Sequence, residues 1–122
     1  MPVRLNLYCI LVAVLTLCSA CTSERVYEGV YTWGAEVETF SPCGTDGKQW
    51  WVTTDEVLSH QLSSAHGNLT TKPYEGIYVR VSGFYDGPPN EAAGAFAARY
   101  EGLFRINKVL FIDKRSALEC KR

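Results

Sequence analysis

The stretch VYEGVYTWGAEVETFSPCG, residues 26–44, sets what kind of fold this chain can form. Its residues alternate. Tyr27, Tyr31 and Trp33 point to one side of an extended backbone, and Val26, Val30 and Thr32 to the other. A period of two, rich in aromatic and β-branched side chains, describes a strand with one face buried. Gly29 and Gly34 interrupt it, and a glycine inside such a pattern marks a bend or bulge of the kind that curls a sheet. The reading is one long curving strand running to Phe40, closed by the turn-rich SPCGTDGK of residues 41–48.

Moving toward the C-terminus, Gln49–Val52 is a short apolar strand carrying Trp50 and Trp51. Adjacent strand residues face opposite ways, so one tryptophan is expected in the core and the other partly exposed. Thr53 and Glu56 have the spacing of a capping box at a helix start. Val57, Leu58, Gln61, Leu62 and Ala65 then share a face, and Gly67 is expected to stop a helix of about a dozen residues. Its apolar stripe would pack against the sheet. Beyond Pro73 the period returns to two: Ile77, Val79 and Val81 alternate with Tyr78, Arg80, Ser82 and Phe84, up to the loop DGPPNEAAG. Residues 95–112 read as two further strands, or one bent at Gly102. The fold class is mainly β: a small, OB-like, partly open five-stranded β-barrel with one α-helix, placed after the second strand.

Toward the N-terminus the composition changes. Residues 1–20 hold one charge, Arg4, then a greasy centre, then the small residues Ser19 and Ala20, the layout of a secretory signal. About a dozen apolar residues are too few to cross a ~30 Å hydrocarbon core as a permanent helix. Leu17–Cys21 resembles the lipobox of bacterial lipoproteins, in which a diacylglyceryl thioether is placed on the cysteine and the chain is cut just before it. Ser19 and Ala20 fit that box; Cys18 stands where leucine is preferred, with Leu17 one place early. The resemblance implies a removed signal at residues 1–20, Cys21 as the lipidated first residue, a tether at 21–25 and a barrel domain at 26–120. Several acyl chains such as palmitate hold a protein stably, where one, at ~0.8 kcal/mol per buried methylene, holds it marginally. Thr22 rather than aspartate after the cysteine implies outer-membrane sorting, with the domain in the periplasm. Of five cysteines, Cys9 and Cys18 leave with the signal and Cys21 is capped by lipid. Cys43 and Cys120 remain, and an oxidising envelope favours pairing them.

The run YTWGAEVETFSPCG (Tyr31–Gly44) ends in a Phe-x-x-Cys, Phe40 to Cys43. Lys72-Pro73 leads into PYEGIYVRVSG (Pro73–Gly83), and Cys120 stands near the end. Together, over about residues 26–120, these features resemble the OB-fold domain of NlpE-type envelope lipoproteins. The resemblance implies a disulfide-closed OB-like barrel and supports the Cys43–Cys120 pair. That family also carries an amino-terminal domain with a Cys-x-x-Cys pair, linked to copper tolerance and envelope-stress signalling. Here the only such spacing is Cys18 to Cys21, inside the signal region. The helix after the second strand also departs from the common OB order.

Site chemistry is sparse. Twelve basic against thirteen acidic residues give no basic footprint for nucleic acid. His60 and His66 lie roughly 240° apart around a helix, so one face cannot offer both to a metal. His60 reads as a solvated residue and His66 as a cation suited to the helix end. Oxidised cysteines are not thiolate ligands, so no metal or cofactor is expected. Neither a Gly-x-Ser-x-Gly elbow nor His-Glu-x-x-His occurs, and Glu36 with Glu38 reads as a solvated pair on one strand face, so catalysis is not expected. Trp33, Trp50 and Trp51 are the candidate binding residues, as OB folds stack ligands on aromatics. The expected function is a non-catalytic binding or structural module, held to the membrane by its lipid, for an envelope protein or cell-wall partner. The alternative is an NlpE-like stress, adhesion or copper-responsive sensor using the cysteine pair.

Overall fold

The computed structural model describes residues 23–115 and Cys120. The expected signal segment, residues 1–20, and the expected lipidation site Cys21 lie outside the described residues. The alternating stretch forms two strands rather than one: β1 (Arg25–Gly34) and β2 (Val37–Pro42). They make an antiparallel hairpin in which Gly34 pairs with Val37, leaving Ala35 and Glu36 as the loop. Glu36 takes φ 58°, the left-handed region that a tight reversal demands. The expected Glu36–Glu38 pair on one strand face is therefore absent, because Glu36 sits in the turn.

Counting the hairpin as two strands moves the helix. After β3 (Trp50–Thr53) comes α1 (Glu56–Leu69), so the helix follows the third strand, in the common OB order and not after the second. Then come β4 (Ile77–Tyr85), a 3-10 turn (Glu91–Ala93), the short α2 (Gly94–Ala97) and β5 (Gly102–Lys114). Residues 95–100 thus hold a helical turn instead of the expected strand. The strand order is β1-β2-β3-β5-β4 in a closed barrel, where the sequence suggested a partly open one. Closure follows from β1 pairing on both sides, with β2 and with β4. The β3–β5 contact is parallel, and the remaining pairs are antiparallel.

Gly29 is where β1 serves both neighbours, opposite Pro42 and Val79. A Cβ there would run into the Ser41 carbonyl and the Phe40 ring, so the strands can close only around a bare backbone. The interior is filled by Tyr31, Phe40, Val52, Ile77, Val79, Val81, Phe104 and Ile106, with Leu62 of α1 plugging the end nearest the β1–β2 turn. Phe40 and Phe104 stack at 4.8 Å between centroids, and Tyr27 meets Phe104 edge-on at 4.9 Å.

The helix differs in detail from its sequence reading. Asp55, not Thr53, is the N-cap, its carboxylate accepting from Leu58 N at 2.8 Å. Helix α1 runs through Gly67 to Leu69, because Thr70 closes it: the Thr70 N–H and hydroxyl both donate to the His66 carbonyl, at 3.0 and 2.7 Å. The buried face is also rotated. Leu62 and His66 are buried, whereas Val57 is 78% exposed and Gln61 lies outside. Among the described residues no helix is long and apolar enough to cross a membrane.

Candidate functional site

The three tryptophans have different surroundings. Trp50 turns inward and sits half-buried at one barrel end, 4.6 Å from the Tyr85 ring and 5.4 Å from Phe104. Trp51 points outward and lies 5.4 Å from Tyr100 of the β4–β5 loop. Both indoles are thereby engaged with neighbours. Trp33, next to the β1–β2 turn, is 41% exposed.

Trp33 forms one wall of a cleft of about 270 Å³. Gly34 and Ala35 continue that wall, while His66, Thr70 and Lys72 close the opposite side. His66 is the residue that organises this place. It is 3% exposed, its Nε2 is hydrogen-bonded to the Glu75 carbonyl, and its ring lies 6.3 Å from those of both Tyr31 and Trp33. It is thus a buried, hydrogen-bonded residue of the core, not one set out at the helix end. Beyond it, Thr71 donates from its N–H and hydroxyl to the Glu75 carboxylate, at 3.2 and 3.4 Å. Those bonds, the Thr71 N–H first, hold Glu75 below the usual carboxylate range despite some desolvation. Tyr74 leans over Gly34 and its hydroxyl donates to the Ala35 carbonyl at 3.3 Å, latching the 70–74 loop to the hairpin turn.

An indole face beside threonine hydroxyls and one ammonium suits a ligand with an apolar surface and polar edges. Beneath the cleft, the Tyr31 hydroxyl donates to Glu38 Oε1 at 3.0 Å. Burial pushes the Glu38 carboxyl up, with the Tyr31 hydrogen bond partly offsetting it, and burial likewise pushes the Tyr31 phenol up. Glu38 is therefore part of the packed wall, not the solvated charge the sequence suggested. His60 is exposed, and among the described residues no three His, Cys, Asp or Glu side chains converge on a metal-sized space.

Cys43 and Cys120 stand at disulfide distance, their Cα atoms 4.8 Å apart across 77 residues of sequence. Cys43 is held to the barrel independently, its N–H donating to the Glu28 carbonyl at 2.9 Å. At the opposite end from Trp33, a shallow groove of about 530 Å³ runs along the β4–β5 loop past Pro89, Asn90 and Ala95.

Neither His66 nor Tyr74 is marked as a cleft residue by any local pattern. The signal for His66 was its place four residues after Leu62, on the buried stripe. A family model described as the NlpE C-terminal OB domain matches residues 21–108. No curated protein and no solved structure matches the chain.

Proposed function

The chain belongs to the NlpE C-terminal OB-domain family, a bacterial envelope family, and from that premise we propose that it is a lipid-anchored, non-catalytic binding module. Cys21 carries the lipid, the outer membrane holds it, and the barrel faces the periplasm. Cys43 and Cys120 form a bridge that ties the C-terminal segment back to the end of β2. The observation that carries the binding role is Trp33. It is the most exposed of the three indoles, it lines a cleft, and it stands at the β1–β2 loop, one of the loops through which OB folds take ligands. The ligand is a surface of an envelope protein or of the cell wall that presents one apolar face to the indole and hydrogen-bonding edges to Thr70 and Lys72.

The test is a photoreactive residue in place of Trp33, activated in intact cells. A defined crosslinked product is expected; recovery of the free chain alone contradicts the reading. A second reading, a sensor of NlpE type, draws on the cysteine pair at the end of β2, where reduction would release the C-terminal segment. Copper titration of oxidised and reduced protein separates the two, since only a sensor of that kind takes up the metal in a thiol-dependent way.

A further inference from the structure

The leash between Cys21 and the barrel is very short. Strand pairing begins at Arg25, opposite Gly83. One residue earlier, the Glu24 carboxylate accepts from the Ser82 hydroxyl at 2.7 Å and from Asn107 Nδ2 at 2.8 Å. The chain is thus fixed to the outer face of β4 and β5 from Glu24 onward. Only Thr22 and Ser23 separate Glu24 from Cys21. Three peptide steps span at most ~11 Å. The headgroup layer of one leaflet takes up about 5–8 Å of that.

Strand directions say which part of the barrel this brings to the lipid. Because β1 runs antiparallel to β4, the start of β1, the end of β4 and the start of β5 share one end of the barrel. The β1–β2 turn lies at the other end, ten strand residues away, or about 30 Å along the strand. The lipid-side end exposes apolar surface: Val26 is 60% exposed, Tyr85 40% and Phe96 43%. Phe96 stands in α2, on a loop rich in alanine, glycine and proline that also carries the exposed Glu91 and Arg99. The acids nearest the strand ends are engaged, Asp86 with Arg105 at 3.4 Å and Glu101 with the Gln49 N–H at 2.8 Å.

Building on the lipid anchor proposed above, we infer that the β4–β5 loop end of the barrel is a membrane-docking face. Its occupant is the phospholipid leaflet that holds Cys21. Phe96 enters the boundary between headgroups and acyl chains, Val26 and Tyr85 lie against the headgroups, and Arg25 and Arg99 reach phosphates while their stems stay apolar. The consequence is an orientation. The Trp33 cleft is held at the far end, pointed away from the membrane, where a partner can reach it.

The test uses the full acylated protein purified from membranes and reconstituted into vesicles of phosphatidylethanolamine and phosphatidylglycerol. With Cys21 acylated and Cys43 bridged to Cys120, an introduced cysteine is the single free thiol. Phe96→Cys and Glu36→Cys are each labelled with a fluorophore and compared in vesicles with and without brominated acyl chains. Both positions are exposed, and Ala95→Cys replaces the first if it folds poorly. The expected result is quenching several-fold greater at position 96 than at position 36. Equal water exposure of both labels on protein whose mass shows the acyl groups overturns the docking face and leaves the anchor standing. Stronger quenching at position 36 also overturns it. A mass without acyl groups overturns the anchor and the docking face together.

Discussion

Opening the Cys43–Cys120 link should weaken the fold more than any other single change. The two residues are 77 apart in sequence. Chain entropy assigns closure of a loop that long about 4.5 kcal/mol at 25 °C. A whole domain of this size has roughly 5–15 kcal/mol. The effect should come through the unfolded state, because the native position of Cys43 is secured separately by its N–H bond to Glu28. The perturbation is Cys43→Ser with Cys120→Ser, compared with the oxidised parent in urea and followed by tryptophan fluorescence. At a slope of about 1–2 kcal/mol per molar urea, the midpoint should fall by roughly 2–4 M. Reductant added to the parent should reproduce the variant. A double-serine protein that unfolds at the parent's midpoint would refute the reasoning, since the loop would then contribute nothing.

Further outcomes follow from the barrel itself. Tyr31→Phe removes the donor that meets Glu38 at 3.0 Å, and should cost about 2 kcal/mol at neutral pH, less in a Glu38→Gln background. Burial raises the Glu38 value, so its contribution is complete below the unfolded value and is lost as pH rises through the folded one; Glu38→Gln should flatten that limb of a stability-against-pH profile. Tyr31, raised in the same way, should give a second loss only as pH climbs past the ordinary tyrosine range. Gly29→Ala drives a Cβ into the Ser41 carbonyl and Phe40 ring and should lose about 1–3 kcal/mol, measured as a lower urea midpoint. Asp55→Ala removes the cap on α1 at about 1 kcal/mol, while Thr53→Ala, the residue the sequence favoured as cap, should leave the midpoint nearly unchanged.

Much of the barrel was legible because its signals are local. In β4 the strict alternation of Ile77, Val79 and Val81 corresponds directly to the buried set. The hairpin was missed where the signal is a change of parity. On one continuous strand Tyr31 and Phe40 would face opposite ways, yet both are fully buried and paired with each other, which a two-residue reversal at Ala35–Glu36 permits. That single error also misplaced the helix in the strand count. The turn is hard to read because Glu36, not glycine, takes the left-handed conformation. The face of α1 was misjudged because His66 counts as polar in any periodicity. Its bond partner, the Glu75 carbonyl, arrives from a loop beyond the helix. The candidate cleft shares that difficulty: the exposure of Trp33 depends on where the end of α1 and Tyr74 come to rest, and no local pattern encodes that meeting.

Intact mass spectrometry of the protein extracted from outer-membrane fractions tests the central claim most directly. The expected species begins at Cys21, carries diacylglyceryl and further acyl mass there, and is lighter by two hydrogens for the Cys43–Cys120 bridge. A soluble, unacylated chain beginning at another residue, with both of those thiols free to react, would contradict the account.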